Sequence, residues 1–335
     1  MMTPISPIAD SASQVNIHLG SRRILNGEHE LTTIAVSSFS LFSVLGPLHL
    51  ESRNEKGVLV ESQMPLPQEH TLEEFVALAR TRLGVDAVEL CQIQFHKTDD
   101  AQLDSIRAAL DSSGVRLLTV SIDTGNLSGG TPEQRAEDVE HIEHWIAIAA
   151  RLGATFVRVN TGSPITADMN EDRAALVEAL TALSNIAHDH GLQLLIENHG
   201  GLSSDPDYLL AIREQVGQDR LGILLDLGNF EPLISVSRGR LMGANPNDTG
   251  LNTDSVYENI AKLAPVARLV HVKAHDPASD GSPLLDLDKA LQIVTDSDRP
   301  DSIEWEGLLG SPWDQTARVL STVRSWLAQQ VDAHA

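Results

Sequence analysis

The sequence predicts a single-domain α/β fold, a (β/α)8 TIM barrel with a β-hairpin inserted after its first strand, and three observations carry that reading. Short apolar runs alternate with helix-patterned segments eight times across residues 31–330. Four consecutive runs in the second half each stop at a side chain with chemistry. Leu192-Gln193-Leu194-Leu195-Ile196 ends at Glu197 and Leu221-Gly222-Ile223-Leu224-Leu225 at Asp226; Ala267-Arg268-Leu269-Val270 ends at His271 and Ser302-Ile303 at Glu304. No Gly-x-Gly-x-x-Gly follows a strand, so the open, doubly wound alternative lacks its nucleotide fingerprint. A lone carboxylate is costly inside a buried strand, which puts each of the four where its strand leaves the core. A barrel gathers those carboxyl ends on one face.

Taken in order, residues 1–30 are polar and irregular, an N-terminal extension with at most a short strand over Val15-Asn16-Ile17-His18-Leu19. Thr33-Ile34-Ala35-Val36-Ser37 begins the barrel domain, residues 31–330. Leu48-His49-Leu50-Glu51 and Val58-Leu59-Val60-Glu61 alternate in polarity around Arg53-Asn54-Glu55-Lys56-Gly57, which is a hairpin with a loop ending in Gly. Helices near 71–82 and 99–112 then precede strands at 87–91 and 115–120. Thr131-Pro132-Glu133-Gln134 joins an N-cap, a first-turn Pro and a Gln three residues after the cap. Val139, Ile142, Ile146 and Ala149 form one face of the helix so opened, which stops at Gly153 before the strand at 155–160. A helix over 171–189 precedes the Glu197 strand, and Asp205-Pro206 opens the next. A long loop carrying Gly239, Gly243, Pro246 and Gly250 separates Asp226 from a helix near 253–263. A helix at 286–294 leads to the Glu304 strand, and Ser311-Pro312 starts a last helix striped by Val319, Leu320, Val323 and Leu327.

Composition bounds the function. Against 47 acidic residues stand 24 Lys and Arg, a net charge of −23, with no basic cluster. That opposes nucleic acid and anionic membrane surfaces, which are held through clustered cations. Cys91 is the one cysteine, so no intrachain disulfide forms. The start lacks a signal-peptide pattern and no apolar run reaches membrane-spanning length; the expectation is a cytoplasmic protein.

Three carboxylates and one imidazole, on the fifth to eighth strands, make an oxygen-rich donor set suited to one divalent ion. Mn²⁺ is expected, with Co²⁺, Mg²⁺ and Zn²⁺ as the other choices. Such an ion, holding a hydroxyl and a neighbouring carbonyl, acidifies the C–H between them, and flanking carboxylates can take and return the proton.

The segments Ile196-Glu197-Asn198-His199-Gly200, Leu225-Asp226-Leu227-Gly228-Asn229, Val270-His271-Val272-Lys273 and Ile303-Glu304-Trp305-Glu306-Gly307 resemble the metal-site motifs of the sugar phosphate isomerase/epimerase family. This is the xylose-isomerase-like barrel superfamily, which also holds ketose 3-epimerases and inosose dehydratases. The resemblance implies Glu197, Asp226, His271 and Glu304 as ligands, with Glu197 and Glu304 also acting as acid and base. It implies an isomerase or epimerase of a keto sugar, a carbohydrate substrate and a homo-oligomer. The chain departs from the ketose 3-epimerases at Ser203, Asn229 and Pro277, where they carry Glu, His and a substrate-binding Arg. His199, two residues after Glu197, is similar to the arrangement in C-glycoside deglycosidase catalytic subunits. The alternative is therefore a lyase that eliminates from a 3-oxo-glycoside, with His199 as base and a small partner subunit. Endonuclease IV resembles the same barrel, but it needs a His-rich multi-zinc site and a basic groove.

Other candidates stand nearby. Glu306 alternates with Trp305 and is either functional or salt-bridged; Lys273, His275 and Asp276 are read as loop residues facing solvent or supporting the site. Glu89, His96, Asp123 and Arg158 end strands two to four and are candidates to line the pocket. Arg238 and Arg240 are read as exposed on a mobile loop, with phosphate binding as the alternative.

Overall fold

The computed structural model of the 335-residue chain describes residues 33–162, 171–294 and 299–334, with side chains through 330. The expected N-terminal extension, with its candidate strand at 15–19, lies outside the described residues. Eight parallel strands close into a barrel: β1 (Ile34–Ser37), β4 (Ala87–Cys91), β5 (Arg116–Ile122), β6 (Phe156–Val159), β7 (Gln193–Glu197), β8 (Leu221–Asp226), β9 (Ala267–His275) and β10 (Asp301–Glu306). β1 closes the ring against both β10 and β4. The separate hairpin β2 (Leu48–Arg53) and β3 (Leu59–Met64) follows β1, as the alternation predicts. Gly57, at φ 74°, supplies the left-handed residue of its loop.

The helices pack outside: α1 (Leu72–Leu78), α2 (Asp100–Ser113), α3 (Pro132–Leu152), α4 (Arg173–Asp189), α5 (Pro206–Val216), α6 (Leu233–Leu241), α7 (Asp254–Leu263), α8 (Leu287–Ile293) and α9 (Pro312–His334). The capping box at Thr131 and Gln134 forms, satisfying two donors that the first turn of α3 leaves unpaired. Ile142, Ile146 and Ala149 of α3 are fully buried against the barrel.

Two expectations change. The long loop after β8 contains α6, which buries Leu233, Ile234, Val236 and Ser237. This helix escapes a sequence reading because Pro232 gives it no side-chain cap and Gly239 interrupts it. Strand β9 also runs four residues past His271, because Val270 and Val272 continue to pack outward in the core between barrel and helices.

Alternation along the strands sets the barrel interior. Ala35, Ala87, Leu118, Phe156, Leu195, Leu224 and Leu269, one from each of seven strands, fill its lower layer. Two residues further along several of these strands the same face carries Glu89, Arg158, Glu197, Asp226 and His271. The polar layer is thus seated on a dry apolar floor at the carboxyl end of the barrel.

Candidate metal centre

The four sequence-predicted ligands meet. Around His271 Nδ1 stand Asp226 Oδ2 at 3.4 Å, Glu304 Oε2 at 3.5 Å and Glu197 Oε1 at 3.7 Å. Each side chain is at most 6% exposed. His271 Nδ1 is buried without a hydrogen-bond partner, and Asp226 Oδ2, also without one, is offset only by an ion pair to Lys273. Orphaned polar atoms cost free energy unless something coordinates them. Donors that share one ion at about 2.1 Å stand about 3–3.5 Å from one another, so the residues present fit a divalent cation. Two overlapping groups, Glu197–Asp226–His271 and Glu89–His271–Glu304, have the spacing to hold one.

Glu89 orients the imidazole. Its Oε2 lies 2.9 Å from His271 Nε2, and its Oε1 accepts from Ser121 Oγ at 2.5 Å. A carboxylate on one ring nitrogen fixes the tautomer and turns the other nitrogen's lone pair inward. Burial raises the Glu89 pKa, but His271 and Ser121 outweigh it and hold the carboxyl below its usual range. For His271 the opposition reverses: burial disfavours the imidazolium, and the surrounding carboxylates, Glu89 first, push its pKa well above the ordinary value.

The carboxylates differ from one another. Burial pushes Glu197 up to about 8, against the pull of Arg158, whose Nε lies 2.9 Å from Glu197 Oε2. Asn229 Nδ2 donates to Glu197 Oε1 at 3.0 Å. Glu304 is also raised by burial. Asp226 is lowered, because Lys273, His271 and the Gly228 N–H overcome its desolvation. Two proton-accepting groups of raised pKa thus flank one that stays ionised.

Lys273 and Glu306, read from sequence as supporting candidates, both belong to the cluster. Lys273 is 2% exposed on β9, and its Nζ lies 2.6 Å from Glu304 Oε1, 3.0 Å from Glu306 Oε2 and 3.2 Å from Asp226 Oδ2. It also donates to Asn229 Oδ1 at 3.0 Å. Its expected place on a solvent-facing loop is corrected: the inward alternation Leu269, His271, Lys273, His275 continues to the end of the strand. His275 faces Gly228 O at 3.2 Å, and Asp276 accepts from the Leu308 and Leu309 N–H groups, a structural role.

The remaining candidates divide. Asp123 is ion-paired with Arg158 and accepts from Asn160 Nδ2 at 3.0 Å, next to the Glu197 carboxylate. His96 lies elsewhere, its ring 5.2 Å from that of His49 on the hairpin. Arg238 and Arg240 are neither exposed nor on a loop, since both project from α6. Arg240 binds Asp248 and the Asp276 and Pro277 carbonyls. Arg238 Nη2 donates to His199 Nδ1 at 3.1 Å and to its carbonyl at 2.9 Å. A guanidinium cannot accept, so neutral His199 carries its proton on Nε2. Burial first, then Arg238 and Arg158, lowers its pKa to about 3.

Over the centre lies an apolar roof. Phe42, Leu48, Cys91 and Ile93 pack together, joined by Phe39, Leu50 and Met64 and by Leu241 of α6. The Phe39 ring centroid is 6.0 Å from Lys273 Nζ. The hairpin is strapped to α3 by Arg53, which reaches Asp138 at 2.6 Å and Glu137 at 2.9 Å, and by a 2.9 Å pair between Glu51 and His141.

Residues 76–323 match the family described as "Xylose isomerase-like TIM barrel". Among solved structures, an L-ribulose 3-epimerase superposes with TM-score 0.62 at 16% identity, covering 91% of this chain and 97% of that one. A D-psicose 3-epimerase gives TM-score 0.53 at 19% identity, covering 75% and 85%. A xylose isomerase-like barrel protein from Mycobacterium smegmatis, solved in complex with magnesium, gives 0.58 at 17%, covering 88% and 98%. No curated protein matches the sequence.

Proposed function

The chain belongs to the xylose isomerase-like TIM barrel family, and on that footing we propose that it is a divalent-metal-dependent isomerase or epimerase of a keto sugar. The observation that carries the reading is the convergence of Glu197, Asp226 and Glu304 oxygens on the unpartnered Nδ1 of His271. The epimerase activities of the superposed structures support it.

In this reading Glu197, Asp226, His271 and Glu304 hold the ion, with Mn²⁺ the expected occupant. The ion supplies Lewis acidity, drawing charge from a carbonyl so that the neighbouring C–H becomes acidic. Glu197 and Glu304, reaching in from β7 and β10, remove that proton and return it. Burial raises both carboxyls above their ordinary values, which strengthens them as proton acceptors. Arg158 and Asn229 fix the Glu197 carboxylate in place. The hairpin roof and the apolar floor keep water from the reacting carbon.

His199 serves as a hydrogen-bond donor to a substrate oxygen through Nε2–H, in place of the base role expected of it. This bears on the alternative lyase reading. Expelling a leaving group asks for a further acid or base, and His199, with Nδ1 facing Arg238 and its proton on Nε2, has the form of a donor to that group, so the products and not this ring separate lyase from isomerase. A mass-resolved product screen on keto sugars and 3-oxo-glycosides with added Mn²⁺ tests the assignment. A product of unchanged mass is expected; a released aglycone with a dehydrated keto sugar would replace isomerase by lyase.

A further inference from the structure

Lys273 brings a cation into the carboxylate cluster. Around its Nζ are four oxygens, Glu304 Oε1 at 2.6 Å, Glu306 Oε2 and Asn229 Oδ1 at 3.0 Å, and Asp226 Oδ2 at 3.2 Å. An ammonium has three N–H groups, so one of the four oxygens goes without a hydrogen bond, and that one is Asp226 Oδ2. The longest of the four contacts is to Asp226 Oδ2, which is also the oxygen that faces His271 Nδ1. Glu304 is divided differently: Oε2 faces His271, and Oε1 belongs to Lys273. The other three partners leave Lys273 no slack. Glu306 is itself held by the Ser237 hydroxyl, and Asn229 turns its amide nitrogen to Glu197 Oε1.

We propose that Lys273 is a positioning residue that cedes Asp226 to a divalent ion and, with its three remaining hydrogen bonds, holds both proton-transferring carboxylates in place. The inference rests on the metal-dependent reading above. Its parts follow from the geometry. Once Asp226 Oδ2 turns to an ion, the three N–H groups have three acceptors. One of these is Glu304 directly, and another is Asn229, which carries the constraint to Glu197. Glu306 anchors the ammonium from behind. Lys273 therefore acts through Glu304 and Glu197. Its positive charge beside the ligand oxygens also opposes a second cation, so the ion is held less tightly than four such donors alone would hold it.

The test compares wild type, Lys273→Met and Lys273→Arg by Mn²⁺ affinity in competition with a chelating dye. It adds kcat and KM on any keto sugar that the wild type turns over. Lys273→Met keeps most of the side-chain volume without the charge, and it should bind Mn²⁺ at least about tenfold more tightly. Its kcat should fall about 10²-fold, with KM changed far less, since uniform substrate binding is untouched. Lys273→Arg keeps the charge but brings a planar fork to a tetrahedral site, so Mn²⁺ affinity should stay near wild type while kcat falls. A purely structural lysine would instead weaken Mn²⁺ binding along with stability, and that result in Lys273→Met overturns the proposal. Wild-type turnover by Lys273→Arg overturns it too, and decides the matter if Lys273→Met does not fold. Failure of the wild type itself to bind Mn²⁺ is a separate result, which removes the metal-site reading and this inference with it.

Discussion

Glu89 and His271 lie 182 positions apart in sequence, yet Glu89 Oε2 meets His271 Nε2 at 2.9 Å across the barrel interior. The pairing leaves Nδ1 as the inward-facing nitrogen, and it is Nδ1 that the three other carboxylates surround. Glu89→Gln should therefore weaken divalent-ion affinity about 10- to 100-fold while the barrel stays folded, the usual cost of losing such a partner. Isothermal titration with Mn²⁺ reads it, and unchanged affinity would remove Glu89 from the centre.

That pairing also marks where sequence reasoning stopped. The barrel was legible because strands buried on both faces must be apolar, so every charged interruption stands out. Glu197, Asp226, His271 and Glu304 announced themselves in this way. Glu89 sits inside Ala87-Val88-Glu89-Leu90-Cys91 as one more interruption, and nothing local connects it to a histidine on a strand half the chain away. Lys273 is hidden in the sequence because the apolar run from Ala267 to Val270 stops at His271, which reads as a strand end. The alternation with Val270, Val272 and Ala274 was the signal that the strand continued. The Arg238–His199 contact depends on α6, whose uncapped, glycine-interrupted sequence gives no helix start signal.

Glu304→Gln separates holding the ion from moving the proton. The amide keeps the shape and one oxygen but cannot accept a proton at neutral pH. Turnover should fall by about 10²–10⁴, while Mn²⁺ occupancy changes far less. Parallel kinetics and metal analysis check this, and full turnover by the variant would exclude Glu304 as acid or base.

Stability should depend on pH and on the ion together. Glu197 is raised from 4.5 to about 8 by folding, so its contribution is fully present below pH 4.5 and is lost as pH rises through 8. His271, raised as well, loses its contribution in the same direction. Both groups must give up protons to bind a cation, so ion affinity rises over the same range. The gain in Tm on saturating Mn²⁺ should thus be larger at pH 8 than at pH 6. Thermal melts with and without the ion read the difference; an equal or smaller gain at pH 8 would contradict these protonation states.

The hairpin roof should govern access. Leu48, Leu50 and Met64 pack with Phe39, Phe42 and Leu241 over the centre, while Arg53 ties the hairpin to Asp138. Replacing residues 48–64 by a short glycine linker should leave the circular dichroism of the barrel intact. The Michaelis constant should rise, because substrate contacts and the exclusion of water are lost together. Kinetics identical to wild type on every substrate would show that the hairpin has no part in binding.

The central claim is that the four converging groups hold an ion beside which a C–H proton is removed and returned. Solvent deuterium exchange tests it most directly. Keto sugars are incubated in D₂O with the Mn²⁺-loaded protein, and with chelator-treated protein as control, and mass spectrometry follows the recovered sugars. One deuteron is expected on the carbon next to the carbonyl of a sugar of otherwise unchanged composition, with exchange abolished by the chelator and restored by Mn²⁺. Exchange that continues undiminished without the ion, or products split into two species with no deuterated isomer, would contradict it.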